Sequence, residues 1–144
     1  MSTLTITIIG RPAAQGSKRL LNRRTGMMAE SSRRVAPWRS DVRSAAQNHA
    51  PYGWDRSGPM SVILSFYFAR PKSHYTTKGD LRPSAPEHLI TRVGDIDKLC
   101  RAMLDGLSSV IFDDDAQVVQ MIANRCYADR PDPERAVVTI NRLV

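Results

Sequence analysis

Ten consecutive residues, Met60-Ser-Val-Ile-Leu-Ser-Phe-Tyr-Phe-Ala69, constrain the fold of this chain more than any others. They are rich in β-branched and aromatic side chains, and their hydrophobicity is partly continuous instead of strictly alternating. A strand of that kind has little water-facing side, so it belongs in the interior of a sheet. Thr3 to Ile9 alternates and reads as a first strand, ended by Gly10-Arg-Pro12. Gln117 to Tyr127 and Ala136 to Leu143 read as two more, separated by the turn Asp129-Arg-Pro-Asp-Pro133.

Two segments have helical spacing instead. Pro37 to His49 carries Trp38, Val42, Ala45, Ala46 and His49 near one face, opens on a proline in its first turn and ends at Pro51-Tyr-Gly53. A second helix is expected from a cap at Asp97 to about Ser109, because Leu99, Met103, Leu107 and Val110 recur on one stripe. The expected fold is α/β of the α+β kind: one domain over residues 1–144, with a small mixed β-sheet of about four strands and two main helices. A chain of 144 residues has room for one real core and not for two.

With 42% hydrophobic and 24% charged residues and no repeat or low-complexity tract, the composition argues against disorder. The longest apolar runs, Ile6 to Ile9 and Met60 to Leu64, fall far short of the roughly 20 residues that cross a bilayer. No charged leader precedes an apolar segment, so a cytoplasmic location and no membrane partner are expected. Cys100 and Cys126 read as a free, reduced pair. His49, His74 and His88 lack the spacing of a zinc site, and Trp38 and Trp54 read as core or loop anchors.

The formal charge of +7 is concentrated. From Arg11 to Arg43 nine basic residues face only Glu30 and Asp41, while the rest of the chain carries twelve residues of each sign. Most of the surplus therefore lies in a basic loop at about residues 11–36, with a short hairpin around Asn22 to Gly26. Such localisation favours a nucleic acid or another phosphate-rich partner over a generally basic surface, with a merely solvated loop as the alternative. A second loop, Arg70 to Thr91, adds Lys72, Lys78 and Arg82, and its Tyr75 reads as an exposed aromatic or a stacking platform for an unpaired base.

Against this basic background, six aspartates fall between Asp95 and Asp115. Carboxylates this close repel one another, so they are tolerated where water solvates each or a divalent cation sits among them. If Ile96 is extended, Asp95 and Asp97 point to one side, which makes half of a Mg²⁺ site that the Asp113-Asp-Asp115 corner would complete. The chemistry such a site suits is metal-assisted attack of water on a phosphodiester. Asp97, Arg101 and Asp105, each four apart, form an acid-base-acid row on the water side of the second helix. Alone, Asp-x-Asp also occurs in caps, in turns and in metal-dependent sugar transferases. A calcium loop is excluded, because Cys100 stands where that loop needs glycine.

The run Asp95-Ile-Asp-Lys-Leu-x-Arg-Ala-x-Leu-Asp-Gly-Leu107, followed by Val110-Ile-Phe-Asp-Asp-Asp-Ala-Gln-Val118, resembles the signature of RusA-type Holliday junction resolvases, common in phage and prophage genomes. Weaker similarity extends to the opening strand, the loop Pro12-x-x-Gln-Gly-Ser-Lys-Arg19 and the two closing strands. The resemblance implies a RusA-like fold and a homodimeric endonuclease that depends on Mg²⁺, with Mn²⁺ able to substitute, and uses no nucleotide cofactor. It would bind branched DNA, nick two opposed strands of a four-way junction, and act in recombination and repair in a bacterial host or phage-infected cell.

By position, the resemblance puts the metal-binding aspartates on Asp95, Asp97 and Asp115, with Asp113 and Asp114 able to substitute. A family member has a lysine four residues after the second aspartate, where this chain has Arg101. Arginine keeps the charge and clamps a phosphate through two donors but is a poor proton donor, and Lys98 is its partial replacement. The DNA-binding candidates are Lys18, Arg19, Arg23, Arg24, Arg33 and Arg34, joined by Lys72, Lys78 and Lys98. Two other readings stay open: a junction-binding protein without catalysis, and a metal-dependent nucleotidyl or sugar transferase using Asp95-x-Asp97.

Overall fold

The computed structural model describes residues 2–16, 18–30, 33–91 and 93–144, with the backbone alone at 18–22 and 27–30. Its elements run β1 (Thr3–Ile9), β2 (Lys18–Asn22), β3 (Met27–Glu30), α1 (Val35–His49), β4 (Met60–Ala69), α2 (Ile96–Leu107), β5 (Val118–Ala128) and β6 (Arg135–Arg142). Four strands form one sheet in the order β1-β6-β4-β5, and β2 and β3 form a separate hairpin. β4 pairs antiparallel with β6 on one side and parallel with β5 on the other, as an interior strand must. This is the expected single small α+β domain, with a mixed four-stranded sheet and two helices.

Register explains which face is buried. Val62, Leu64 and Phe66 lie opposite Ile140, Val138 and Ala136, and Ile6 lies opposite Val138, so one face of three strands is continuous apolar surface. All of these are buried in one cluster with Val35, Trp38, Val42, Leu99, Met103 and Leu107 from the helices. The opposite face is polar at β1 and β6, where Thr3 donates to Asn141 and Thr5 and Thr139 bond across the strands. α1 packs on β1 and α2 on β5, and the helices cross each other. α2 is the crossover that a parallel β4–β5 pair requires.

Several boundaries differ from expectation for identifiable reasons. α1 begins at Val35, not Pro37, since Val35 is fully buried and anchors an earlier turn. α2 has Asp95 at its cap position with an extended backbone, and Leu99 N–H bonds to the Asp95 carbonyl, so Asp97 sits in the first turn and does not cap. Ile96 is therefore helical and not extended. Starting there puts Leu99, Cys100, Met103 and Leu107 in the core together. The 11–36 segment is not one loop: it holds the anticipated hairpin and the start of α1.

Tyr75 is neither an exposed aromatic nor a free stacking platform. It is only 7% exposed, pairs in an isolated bridge with Leu81, and has the Arg130 guanidinium 3.9 Å over its ring. Trp38 is a core residue, and Trp54 anchors a loop by donating from Nε1 to the Ile111 carbonyl at 2.9 Å. Both cysteines are free. Among the described residues, no helix is long and apolar enough to cross a membrane.

The helix crossing depends on Gly106. A Cβ there would lie 2.7 Å from Val42 Cγ1 and 3.2 Å from the Arg39 carbonyl oxygen. Forcing α1 and α2 apart costs about 1–3 kcal/mol by overpacking, while alanine recovers up to about 1 kcal/mol of helix propensity. Gly106→Ala is expected to lower the urea midpoint, with a net loss on the order of 1 kcal/mol. A midpoint equal to or above wild type would show that the crossing has slack.

Candidate active site

The segment leading into α2 is strapped down from two sides. Arg125 on β5 donates to the carbonyls of Leu89 at 3.3 Å, Thr91 at 3.2 Å and Gly94 at 2.8 Å. One guanidinium thus satisfies three loop carbonyls just before Asp95. From the other side the Gln15 N–H bonds to the Lys98 carbonyl at 3.1 Å, and Arg39 holds the Gln15 side chain at 2.9 Å. Gly94 has φ +131°, and a Cβ on it would lie 3.2 Å from Ala14 Cβ and 3.1 Å from Leu99 Cδ2. Both the backbone conformation and the closeness of the N-terminal segment require glycine there.

Asp95 and Asp97 emerge from this strapped start as exposed carboxylates. Lys98 Nζ lies 3.8 Å from Asp95 Oδ2, an exposed pair that adds little stability. Asp97 bears on the core electrostatically: burial first, and then its charge, push the Cys100 thiol above its ordinary range. Arg101, one turn on, is exposed, and among the described residues it forms no ion pair or hydrogen bond. It does not neutralise Asp97 or Asp105 through a salt bridge.

At the other end of α2 the three corner aspartates have different tasks. Asp113 pairs with Arg56 at 3.3 Å. Asp114 accepts from the Ala116 N–H at 2.8 Å, and Gln117 Oε1 accepts from the Asp113 and Asp114 N–H groups, closing a capping box over the 3-10 turn Asp115–Gln117. The Gln117 amide also donates to the carbonyls of Arg56 and Gly58, tying the corner to the loop before β4. Asp115 has no cation among the described residues. Its carboxyl is raised above the usual carboxylate range, first by the hydrogen bond with Asp114, then by burial and by the charges of Asp114 and Asp105.

The expected ligands are therefore not gathered in one chain. Asp95 and Asp97 stand at the start of α2, while Asp105 and Asp115 neighbour each other at its end. α2 has 12 residues, about 18 Å of rise at 1.5 Å per residue. Among the described residues, no three His, Cys, Asp or Glu side chains converge to hold a metal ion. Exposed carboxylate oxygens are the hard donors that Mg²⁺ takes, so Asp95 and Asp97 fit as half a site and Asp115 does not join them within the chain.

The other candidate cations lie on separate elements. Arg23 and Arg24 are exposed at the tip of the β2–β3 hairpin, and Arg33 and Arg34 are exposed just before α1. Lys18 and Arg19 fall on β2, with their side chains outside the described residues. A cavity of about 340 Å³ is lined by Arg11, Arg33, Arg34, Trp38 and Asp41. A second, of about 220 Å³, is lined by Lys72, Tyr75, Arg82 and Arg130, with Lys78 exposed beside it. Arg130 joins this set only through the fold.

Arg125 and Gly94 were missed by sequence reasoning, and Gln15 was noted only within the Pro12–Arg19 similarity, without a role. Nothing local distinguishes a bracing arginine on a strand from a solvated one. Gln117 could have been found, since Asp114-x-x-Gln117 is a capping-box spacing.

Comparison with known proteins bears on the family of the chain. The chain is similar to the uncharacterized protein YqaN of Bacillus subtilis (strain 168), 28% identical over 142 residues that cover 93% of this chain and 94% of the relative. Residues 10–141 match the family described as endodeoxyribonuclease RusA, a span that includes both ends of α2, the basic hairpin, β4, β5 and all but the last residue of β6, and that begins just after β1. The chain belongs to the RusA endodeoxyribonuclease family.

Proposed function

We propose that the protein is a structure-selective endodeoxyribonuclease that resolves four-way DNA junctions, cutting two opposed strands as a homodimer. The observation that carries this reading is the exposed Asp95–Asp97 pair, strapped in place beside the segment that leads into a basic hairpin. A pure binding protein has no reason to present carboxylates to phosphate. A nucleotidyl or sugar transferase would need a nucleotide pocket at Asp95–Asp97, and neither the Arg11–Asp41 cavity nor the Lys72–Arg130 cavity is lined by these residues.

The residues divide the work. Asp95 and Asp97 would hold a divalent cation, Mg²⁺ or in its place Mn²⁺, which when bound supplies a water of lowered pKa and neutralises phosphate charge. Arg101 stands one turn from Asp97 with its guanidinium unpaired, and so is available to a phosphate through two parallel donors. The hairpin arginines and the Lys72–Arg82 loop neutralise DNA backbone, which suits a substrate recognised by branch shape rather than by sequence. Two equivalent sites related by a two-fold axis match the symmetry of paired nicking, and the reading places the enzyme in the cytoplasm, in recombination and repair.

The direct test incubates the protein with an end-labelled four-way junction with and without Mg²⁺. Metal-dependent, symmetrically placed nicks are expected, and their absence would reject the nuclease reading. For the hairpin, Arg23→Ala combined with Arg24→Ala is expected to weaken junction binding and make the salt dependence less steep by up to about 2 units of log–log slope, about 0.9 for each phosphate no longer neutralised. An unchanged slope would remove the hairpin from the DNA surface.

A further inference from the structure

Arg70 locks the loop after β4 to the turn after β5. Its side chain is only 7% exposed, lies 4.3 Å over the Tyr127 ring, and donates to Asp129 at 2.9 Å and to the Pro86 carbonyl at 2.6 Å. The loop is also closed within itself. Tyr75 bridges to Leu81, the Arg82 N–H bonds to the His74 carbonyl at 2.9 Å, and the Thr76 N–H bonds to the Asp80 carbonyl at 2.8 Å. Lys72 and Arg82 therefore stand on a braced loop.

Arg130 joins them from the β5–β6 turn. Its guanidinium lies 3.9 Å over the Tyr75 ring and its backbone N–H donates to the Tyr75 hydroxyl at 3.4 Å, which fixes it against the loop. A ring contact of this kind leaves the in-plane N–H donors of arginine for another partner. Lys72, Arg82 and Arg130 line one cavity of about 220 Å³ with Thr76 and Thr77, and among the described residues no carboxylate lines it. Asp129, next in the chain to Arg130, is paired with Arg70. Three cations lining one space repel one another, and an anion arriving there relieves the repulsion.

We infer that Lys72, Arg82 and Arg130 together form a pocket for one phosphate group of a DNA strand. This rests on the DNA-cutting reading and adds a single point at which the strand is gripped. The cavity is smaller than the roughly 300–1,000 Å³ of sites for drug-sized ligands, which suits a phosphate better than a whole nucleotide. Tyr75, buried under Arg130, has no open face for a base. Arginine donors match phosphate oxygens in pairs, and lysine adds a point charge. The Thr76 hydroxyl oxygen already accepts from the Asp80 N–H at 3.2 Å, so its own proton is left to donate.

The pocket also has a place relative to the aspartates. Five residues, at most about 18 Å of chain, separate Arg130 from Arg125, which grips the Gly94 carbonyl at 2.8 Å just before Asp95. The Asp115 corner precedes the opposite end of β5. A strand held in the pocket therefore passes at the Asp95 end of α2.

Salt titration of four-way-junction binding, without metal so that no strand is cut, tests the shared grip. Each phosphate neutralised contributes about 0.9 to the log–log slope. If the three cations share one phosphate, Lys72→Ala with Arg82→Ala and Arg130→Gln should lower the slope by about 0.9 per protomer, against about 2.7 for three separate phosphates. Lys72→Ala with Arg82→Ala alone, which leaves the Arg130–Tyr75 stack intact, should weaken binding by on the order of tenfold with an unchanged far-ultraviolet spectrum. Junctions ending in 5′-hydroxyls and in 5′-phosphates identify the source. A loss of slope with both belongs to an internal phosphodiester, and a loss with 5′-phosphates alone belongs to a strand end.

An unchanged slope overturns the pocket, even where inorganic phosphate binds, and so does a fall near 2.7. A fall near 0.9 in a protein that never nicks the junction with Mg²⁺ would uphold the pocket and reject the nuclease reading instead.

Discussion

Asp97→Asn should abolish metal-dependent nicking of a four-way junction while leaving the protein folded and bound to DNA. The substitution is nearly isosteric and removes one charge. Asp97 is exposed in the first turn of α2, so what folding loses is its interaction with the helix N-terminus, about 0.3–1 kcal/mol. What catalysis loses is larger. Even residues that only support a metal ligand cost about 10–100-fold when mutated, so a ligand should cost at least on the order of 100-fold.

Binding should hold or tighten, because a carboxylate facing phosphate opposes association. An internal control comes from Cys100, whose thiol is raised partly by the Asp97 charge. In the variant that thiol should ionise at lower pH, reporting loss of charge without displacement of the helix. Nicking within a fewfold of wild type, measured under single-turnover conditions, would remove Asp97 from the chemistry.

The fold was largely legible because its dominant signals are local. β4 announces itself by composition, and both helices do so by spacing, with errors confined to ends where a buried side chain decides the matter. Val35 shows this well: no propensity rule starts a helix there, but its burial does. The Asp95 cap is a similar case, since Asp95 and Asp97 are equally good caps in isolation and the burial of Leu99 and Cys100 chooses between them.

The site was legible only in its parts. Residue types and short spacings marked the carboxylates and the basic segment, but where they meet depends on a crossover of some fifty residues that no local rule fixes. Sequence reasoning joined Asp115 to Asp95 and Asp97 because motif continuity suggested one cluster, whereas α2 holds them apart along its own length. The bracing by Arg125 and Gln15 was invisible for the same reason, being made of hydrogen bonds to backbone carbonyls distant in sequence.

Arg101 provides the second large effect, and its direction separates two kinds of catalysis. If the cation acts by stabilising charge on the phosphate as it builds, Arg101→Gln should lower the nicking rate by about 10²–10³-fold, as removal of a preorganised donor does elsewhere. Junction affinity should fall far less, by about tenfold at most, since only one of many phosphates goes unneutralised. Arg101→Lys should then retain the rate within about tenfold, because charge is kept and only the paired donors are removed.

The pH–rate profile distinguishes the alternative. Arginine stays protonated throughout the accessible range and cannot deliver a proton at a useful rate, so wild type should show no falling limb at high pH belonging to this position. If Arg101→Lys instead became faster than wild type and acquired such a limb, the position would be one for general acid catalysis, which arginine serves poorly. The unpaired state of Arg101 favours the electrostatic role: with no carboxylate to satisfy among the described residues of its chain, its donors are free for a phosphate that arrives with the substrate.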